Sequence, residues 1–159
     1  MITHAPNGYN CPFCRINRSI GMEADVATEG IIYADDHVFA IVARHNWKIV
    51  KLNTLVIPRR HIENLYGLPN EFALPIHRLS RALARAIRAV TNCDGISVRQ
   101  NNEPWGSQDV WHYHMHVTPR YENDEFYELY HSHQVNVEAG RQAKELAEFL
   151  KQHPEVFQD

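Results

Sequence analysis

The segment His112-Tyr113-His114-Met115-His116-Val117 places a histidine at every second position and an apolar residue between. Because successive side chains of a β-strand point to opposite faces, this alternation predicts a strand, Val110–Thr118, with three imidazoles on one face and its apolar residues in the core. Neighbouring imidazoles then lie about 6 to 7 Å apart. Packing alone does not account for three histidines in strict alternation, so the row predicts a functional site.

Two kinds of chemistry suit such a row. Two of its members can bind a metal ion, as His-x-His strands do. Alternatively, one imidazole acts as a nucleophile and the others serve as acid and orienting partners. The row by itself leaves both roles open.

A second motif, Cys11-Pro12-Phe13-Cys14, brings two thiols close together near the N-terminus. A Cys-x-x-Cys turn offers two ligands to zinc, which needs two more to complete a tetrahedron. The redox alternative expects this motif inside a βαβ unit, and no strand is predicted before Cys11. The motif therefore favours zinc over redox chemistry or simple burial.

Hydrophobic periodicity predicts an α+β fold. Short β-rich runs bounded by turn residues indicate five strands, at Gly30–Asp35, His37–Ala43, Asn53–Ile57, Gly95–Asn101 and Val110–Thr118. Apolar residues at three- and four-residue steps indicate a long helix over about Ile76–Val90, with Pro75 in its first turn, and a final helix over about Glu138–Lys151 capped by Asn136. We expect a mostly antiparallel five-stranded sheet with one long central helix and a C-terminal helix.

Length and charge limit the class of protein. The chain has 159 residues, which fits a single domain spanning 1–159, and its net charge of −3 argues against a general nucleic-acid-binding protein. The longest apolar stretches, Phe39–Ala43 and Leu55–Ile57, are far too short for a membrane span. With a polar N-terminus, these features predict a cytoplasmic protein that binds neither nucleic acid nor membrane, and they leave small-molecule ligands open.

Three segments together resemble the histidine triad (HIT) superfamily, and in particular its zinc-containing bacterial members. They are Cys11–Ile16, Thr54–His61 with its Ile-Pro-x-x-His sequence, and His112–Val117 followed by Pro119-Arg120. The resemblance covers a core of residues 11–120, which leaves 121–159 as a C-terminal helical extension. It implies a homodimeric nucleotide hydrolase or nucleotidyl transferase that cleaves AMP-type phosphoanhydrides or phosphoramidates, such as dinucleoside polyphosphates and adenosine phosphoramidate.

The resemblance also implies residue roles. His114 matches the histidine that attacks an α-phosphate to form a covalent nucleotidyl-histidine, and His116 matches the one that assists the leaving group. In similar zinc-containing proteins the metal is held by residues that correspond to Cys11, Cys14, His61 and His112. Four protein ligands close the coordination sphere, so this zinc is expected to be structural.

Substrate contacts follow from the same resemblance. Asn101, Ser107, Gln108 and Asp109 correspond to the phosphate-binding segment, and Phe13, Ile16, Ile41 and Leu55 correspond to apolar positions around the base. Asp109 stands where relatives carry a hydroxyl group, so it either turns away from a phosphate or meets a cation such as Mg²⁺ brought with the substrate. Ala43 occupies a ribose-binding position, for which His45 or Asn46 is a possible substitute.

Two rival functions remain open at this stage. One is a metal-dependent hydrolase in which His112 and His114 hold a catalytic ion. The other is a non-catalytic nucleotide-binding module, because a fold does not prove an activity. Outside the site, we expect Arg78, Arg81, Arg85 and Arg88 to form a solvated helix face, His131-Ser132-His133 to lie in a surface loop, and Cys93 to be a small buried residue.

Overall fold

A five-stranded antiparallel sheet is the central layer of the protein, as the α+β prediction requires. A computed structural model of the chain describes residues 3–21, 30–47, 50, 52–127 and 133–159. The sheet contains β1 (Ile31–Ala34), β2 (Val38–Val42), β4 (Thr54–Pro58), β5 (Gly95–Gln100) and β6 (Met115–Arg120), and its strand order is β1-β2-β4-β6-β5. Within the described residues, no helix is long and apolar enough to cross a membrane.

The register of the sheet aligns four side chains in one row. Ile41 pairs with Leu55, Leu55 pairs with His116, and His116 pairs with Arg99, so the row crosses β2, β4, β6 and β5. Residues directly opposite each other in antiparallel strands project to the same face. This row defines the face of the sheet that carries the site.

The long helix α2 (Asn70–Thr91) covers the opposite face of the sheet. The buried side of the helix packs against apolar residues of the sheet and of the segment before β6, namely Val56, Tyr113, Met115 and Val117. The helix residues on this side are Phe72, Ile76, Leu79, Leu83, Ala86 and Ile87. The predicted placement of Pro75 in the first turn is wrong, because the helix begins at Asn70. The N–H that Pro75 lacks would have bonded to the carbonyl of Glu71, an exposed first-turn residue that water can reach.

The segment around the two N-terminal cysteines is a helix and not only a turn. Helix α1 (Pro12–Ser19) follows Cys11, whose sulfur accepts a hydrogen bond from the backbone N–H of Cys14 at 3.5 Å. Pro12 occupies the first helical position, where its missing N–H has no cost. Helix α1 thereby holds both sulfurs at its N-terminal end.

Strand β6 is shorter than predicted, because it begins at Met115 and not at Val110. The ladders to both neighbouring strands end at Met115, and the N–H of Tyr113 bonds instead to the carbonyl of Ile62 at 2.6 Å. His112 and His114 therefore precede the regular strand. The alternation of side chains nevertheless persists, since Tyr113, Met115 and Val117 are all buried in the core against α2.

A small second sheet of two strands is present that the sequence patterns did not predict. Strand β3 (His45–Trp47) pairs with β7 (His133–Val135), so the prediction of a surface loop at His133 is wrong, while His131 and Ser132 lie outside the described residues. The last helix, α3 (Ala139–Gln152), begins after Glu138 and is not capped by Asn136. The amide of Asn136 instead joins the carbonyl of Ala43 and the side chain of Gln142.

The arginines of α2 are not a uniformly solvated face. Arg81 donates to the carbonyl of Phe157 and pairs with Asp159, and Arg85 donates to the carbonyls of Val156 and Gln158. These bonds hold the C-terminal 3₁₀ turn, Pro154–Phe157, against the helix. The periodicity of the helix predicts which side these arginines occupy, but it does not predict that the C-terminal turn packs against that side. Cys93 is buried, as expected.

Candidate active site

Two cysteines and two histidines meet where α1 approaches the end of β4. The sulfur of Cys11 lies 3.3 Å from Nδ1 of His112, and the sulfur of Cys14 lies 3.3 Å from Nδ1 of His61 and 3.7 Å from Nδ1 of His112. All four potential ligand atoms lie within 4.8 Å of one another. Tetrahedral zinc with bonds of about 2.0 to 2.3 Å separates its ligand atoms by about 3.3 to 3.8 Å. The cluster fits such an ion in donor chemistry and in size.

The orientation of His112 suits a ligand. Its ring is fully buried, and Nε2 lies 2.9 Å from the carbonyl oxygen of Pro58. A carbonyl only accepts, so Nε2 carries the hydrogen and Nδ1 presents its lone pair to the sulfurs. Burial lowers the pKa of His112 to about 4, which keeps the ring neutral.

The Cys14 thiol must lose a proton to bind a metal. Burial and the hydrogen bond to Cys11 raise the pKa of Cys14 to about 11. A bound divalent cation reverses this preference, because it stabilises the thiolate directly. Metal binding at this cluster is therefore coupled to proton release.

His114 is held in one tautomer by the backbone. It is 2% exposed, and its Nδ1 lies 2.7 Å from the carbonyl oxygen of His112. Nδ1 therefore carries the hydrogen, and the lone pair is on Nε2. Burial lowers the pKa of His114 below its usual value of 6.5, although the nearby carboxylate of Asp109 opposes this shift. A neutral imidazole with a lone pair on Nε2 is the form that a nucleophile needs.

His116 is oriented by an amide. Its ring centroid lies 5.1 Å from that of His114, and its Nδ1 lies 3.3 Å from Oδ1 of Asn53. The hydroxyl of Thr118 donates to the same oxygen at 3.1 Å, which fixes the orientation of the amide. Nδ1 of His116 therefore donates to Asn53, and Nε2 lies on the other side of the ring.

A cleft of about 280 Å³ opens beside these two histidines. All four apolar residues predicted to enclose a base line it: Phe13, Ile16, Ile41 and Leu55. The ring of Phe13 meets that of His114 edge-on, with centroids 5.3 Å apart. The cleft thus combines an apolar wall with two histidines at one end, which is the usual composition of a small-molecule site.

Charged and polar residues complete the cleft. Asp109 lines it, and its Oδ1 lies 3.8 Å from Nε2 of His114. Ala43 and His45 also line it, while the side chain of Asn46 lies outside what the structure describes. Three further residues line the cleft without a role predicted from the sequence: Arg15, Arg44 and Asn53.

For two of these three residues, the sequence pattern could have predicted a position in the cleft. Asn53 precedes Leu55 by two residues and so shares its strand face. Arg15 lies three residues after Pro12 and shares its helix face, but the segment was interpreted as a turn. Arg44 follows the end of β2, in a segment where neither the strand period nor the helix period applies.

The other predicted phosphate-binding residues lie outside the lining of this cleft. The amide of Asn101 donates to the carbonyl of Ser107 at 3.0 Å. The amide of Gln108 donates to the carbonyls of Glu63 and Val110 and accepts from the N–H of Glu103. These side chains hold the loop that carries Asp109. A direct substrate contact by any of the three stays a prediction.

Comparison with known proteins agrees with this geometry. A family model described as the HIT domain matches residues 24–123. The relative named Protein hit, from Bacillus subtilis, is 38% identical over 112 residues, which cover 70% of this chain and 72% of that protein. The chain therefore belongs to the HIT family.

Solved structures share the fold. A zinc-bound histidine triad family protein from Mycobacterium smegmatis superposes with a TM-score of 0.74 at 25% identity and covers 92% of this chain and 97% of its own. The diadenosine triphosphate hydrolase of Plasmodium falciparum, solved with cyclomarin A, gives a TM-score of 0.66 over 79% of this chain and 78% of its own. Its identity of 14% shows a common fold alone.

Proposed function

We propose that this protein is a nucleotide hydrolase that cleaves AMP-type phosphoanhydrides or phosphoramidates through a covalent nucleotidyl-histidine on His114. The observation that carries this proposal is the state of His114. Its ring is buried, its Nδ1–H is bonded to the carbonyl of His112, and its Nε2 carries a lone pair beside an apolar cleft. Imidazole in this state is a competent nucleophile at neutral pH.

The reaction then has two steps. Nε2 of His114 donates its lone pair to the α-phosphorus, the bond from phosphorus to the leaving oxygen or nitrogen breaks, and His116 in its protonated form gives that atom a proton from Nε2. Water next attacks the phosphorus, the P–N bond to His114 breaks, and the proton of the water returns to His116. His116 is oriented for this exchange by Asn53.

The tautomer of His114 also favours the second step. With Nδ1 still protonated, a ring phosphorylated on Nε2 carries a positive charge, which weakens its P–N bond. The carbonyl of His112 continues to accept the hydrogen of Nδ1 and stabilises that charge. No further protonation of the ring is needed for hydrolysis.

The substrate class rests on the rest of the cleft. The apolar wall of Phe13, Ile16, Ile41 and Leu55 suits a nucleoside base. Asp109 lies beside the position of attack and opposes a polyanion there. A divalent cation such as Mg²⁺ that arrives with a polyphosphate would offset this repulsion, whereas a phosphoramidate does not require it.

We further propose that Cys11, Cys14, His61 and His112 hold a zinc ion. When bound, the ion supplies a four-ligand crosslink and no open coordination position for chemistry. The Pro58 carbonyl orients His112 for this role. The HIT resemblance also implies a homodimer, which light scattering coupled to gel filtration tests directly.

The test of the proposed function is intact-mass measurement during turnover. Mixing the protein with adenosine phosphoramidate should produce a species heavier by one adenylyl group, and His116→Ala should slow both the formation and the hydrolysis of that species. His114→Gly should lose both the adduct and turnover. A His114→Gly variant that retains the wild-type rate would refute the covalent mechanism, and a folded wild-type protein with no turnover would point to a binding module.

A further inference from the structure

The carboxylate of Asp109 lies beside the atom that is proposed to attack phosphorus. Its Oδ1 is 3.8 Å from Nε2 of His114, and among the described residues it pairs with no arginine or lysine. The side chain of Asp109 is 76% exposed, whereas that of His114 is 2% exposed. The carboxylate therefore keeps its hydration and its negative charge, while the ring that it faces is buried, where charges are screened less than in water.

The backbone on both sides of Asp109 is fixed. The preceding residue, Gln108, is buried, and its amide donates to two backbone carbonyls. Two residues after Asp109, the N–H of Trp111 donates to the hydroxyl of Tyr9 at 3.2 Å. An aspartate side chain is short, so on a backbone held in this way the carboxylate stays close to Nε2 of His114.

The charge of the His114 ring changes during the proposed reaction. Nδ1 keeps its hydrogen, which it donates to the carbonyl of His112, so formation of the bond from Nε2 to phosphorus makes the ring a cation. This charge comes from the new P–N bond and not from the uptake of a proton by the ring.

The charge of the phosphoryl group stays the same in that step. With adenosine phosphoramidate, the bond from phosphorus to the leaving nitrogen breaks, and ammonia departs with a proton from His116. The non-bridging oxygens share one negative charge before and after the attack. The carboxylate of Asp109 therefore repels the phosphoryl group to a similar extent in both states, but it attracts the ring of His114 only once the P–N bond begins to form.

We propose that Asp109 is a further catalytic residue, which stabilises the positive charge that develops on His114 as the nucleotidyl-histidine forms. This inference rests on the proposed function. An interaction that is stronger in the transition state than in the bound substrate accelerates the chemical step, and one that is equal in both affects binding alone. Asp109 therefore weakens substrate binding and accelerates the attack by His114.

The same charge acts in the opposite direction on the second step. Hydrolysis of the adduct returns the His114 ring to its neutral form, so the attraction to Asp109 is lost and this step is slowed. Asp109→Asn keeps the shape of the side chain and removes its charge. This variant should bind the substrate more tightly, form the adduct more slowly and hydrolyse it faster.

The magnitude follows from the distance between the two groups. A pair of unit charges about 4 Å apart changes an equilibrium constant about fivefold in bulk water, and by more where one partner is buried. The ratio of the rate constant for adduct formation to that for adduct hydrolysis should therefore fall about fivefold or more in Asp109→Asn. Loosening of the loop alone would not move the two rate constants in opposite directions.

The experiment is rapid mixing with adenosine phosphoramidate, followed by an alkaline denaturing quench and intact-mass measurement of the adduct over time. The time courses give both rate constants, and their dependence on substrate concentration gives the dissociation constant. Asp109→Glu, which keeps the charge, should retain a ratio within about threefold of the wild type. The matched control is Asp36→Asn, which removes an exposed carboxylate outside the cleft lining and should leave both rate constants unchanged.

The outcomes separate this role from the proposed function. An unchanged ratio in Asp109→Asn, or a ratio in Asp109→Glu as low as that in Asp109→Asn, would overturn the role of Asp109 while the adduct on His114 stands. Absence of adduct and turnover in the folded wild-type protein would overturn the proposed function as well.

Discussion

Removal of the proposed zinc should destabilise the domain as a whole, because its ligands join three distant parts of the chain. Cys11 and His112 are 101 residues apart in sequence, and Cys14 and His61 are 47 apart. A bound ion therefore crosslinks these segments in the folded chain, and an ion retained on unfolding also closes long loops in the unfolded chain. Its loss restores the conformational entropy of those loops to the unfolded state.

The size of the effect follows from the larger loop. Closing a loop of about 100 residues is worth about 4.7 kcal/mol at 25 °C in the chain-entropy treatment of crosslinks. A domain of this size shifts its Tm by about 2 to 4 °C for each kcal/mol, so metal removal should lower the Tm by roughly 10 to 20 °C. The inner loop closed by His61 adds to this value.

The assay is thermal unfolding followed by circular dichroism, with and without a chelator, alongside measurement of bound zinc. Cys14→Ser should have the Tm of the stripped protein and should not respond to the chelator. Cys93→Ala changes a buried cysteine outside the cluster and should keep the wild-type response. Loss of zinc without a change in Tm, or an equal response in Cys14→Ser, would refute the crosslink argument.

Three further predictions concern the catalytic pair and the core. Burial lowers the pKa of His114 below 6.5, so the proposed nucleophile should stay neutral near pH 7. The acid limb of the kcat/KM profile should then have its midpoint below pH 6.5, and a higher midpoint contradicts this. Asn53→Ala should lower kcat about two- to tenfold by releasing His116, and Asn53→Asp, which keeps an acceptor, should recover most of it. Leu83→Ala removes a fully buried side chain and should lower the free energy of unfolding, measured by urea titration, by about 2 to 5 kcal/mol. The control Leu74→Ala removes an exposed side chain of the same helix and should change it by about 0.5 kcal/mol or less.

The parts of the fold that sequence predicted are those whose pattern is local. The hairpin of β1 and β2 appears as two β-rich runs separated by Asp35-Asp36, and the stripe of α2 repeats with the period of a helix, so a short window suffices for each. The pairing of β3 with β7 joins segments almost ninety residues apart, and neither segment is long enough to show a period. The return of the C-terminal turn to Arg81 and Arg85 is likewise a long-range contact without a local pattern.

The site was predictable to a similar extent. Alternation and resemblance identified the histidine row and the apolar wall, because these depend on residue type and spacing. Whether a side-chain amide contacts a ligand or the backbone depends on the path of the loop that carries it, which residue type and spacing do not show. The amide of Gln108, for example, donates to the carbonyls of Glu63 and Val110. Arg99 belongs to no motif, and only the strand register shows that it stands beside His116.

The two roles proposed for His112 reside in different parts of the residue. Its imidazole faces the cysteines, but the group that sets the tautomer of His114 is its main-chain carbonyl. Every amino acid supplies that carbonyl, so replacement of the proposed ligands at 11, 14, 61 and 112 by residues that pack this corner should leave the tautomer of His114 unchanged. The proposed zinc binding and the proposed catalysis would then be separable properties of this site.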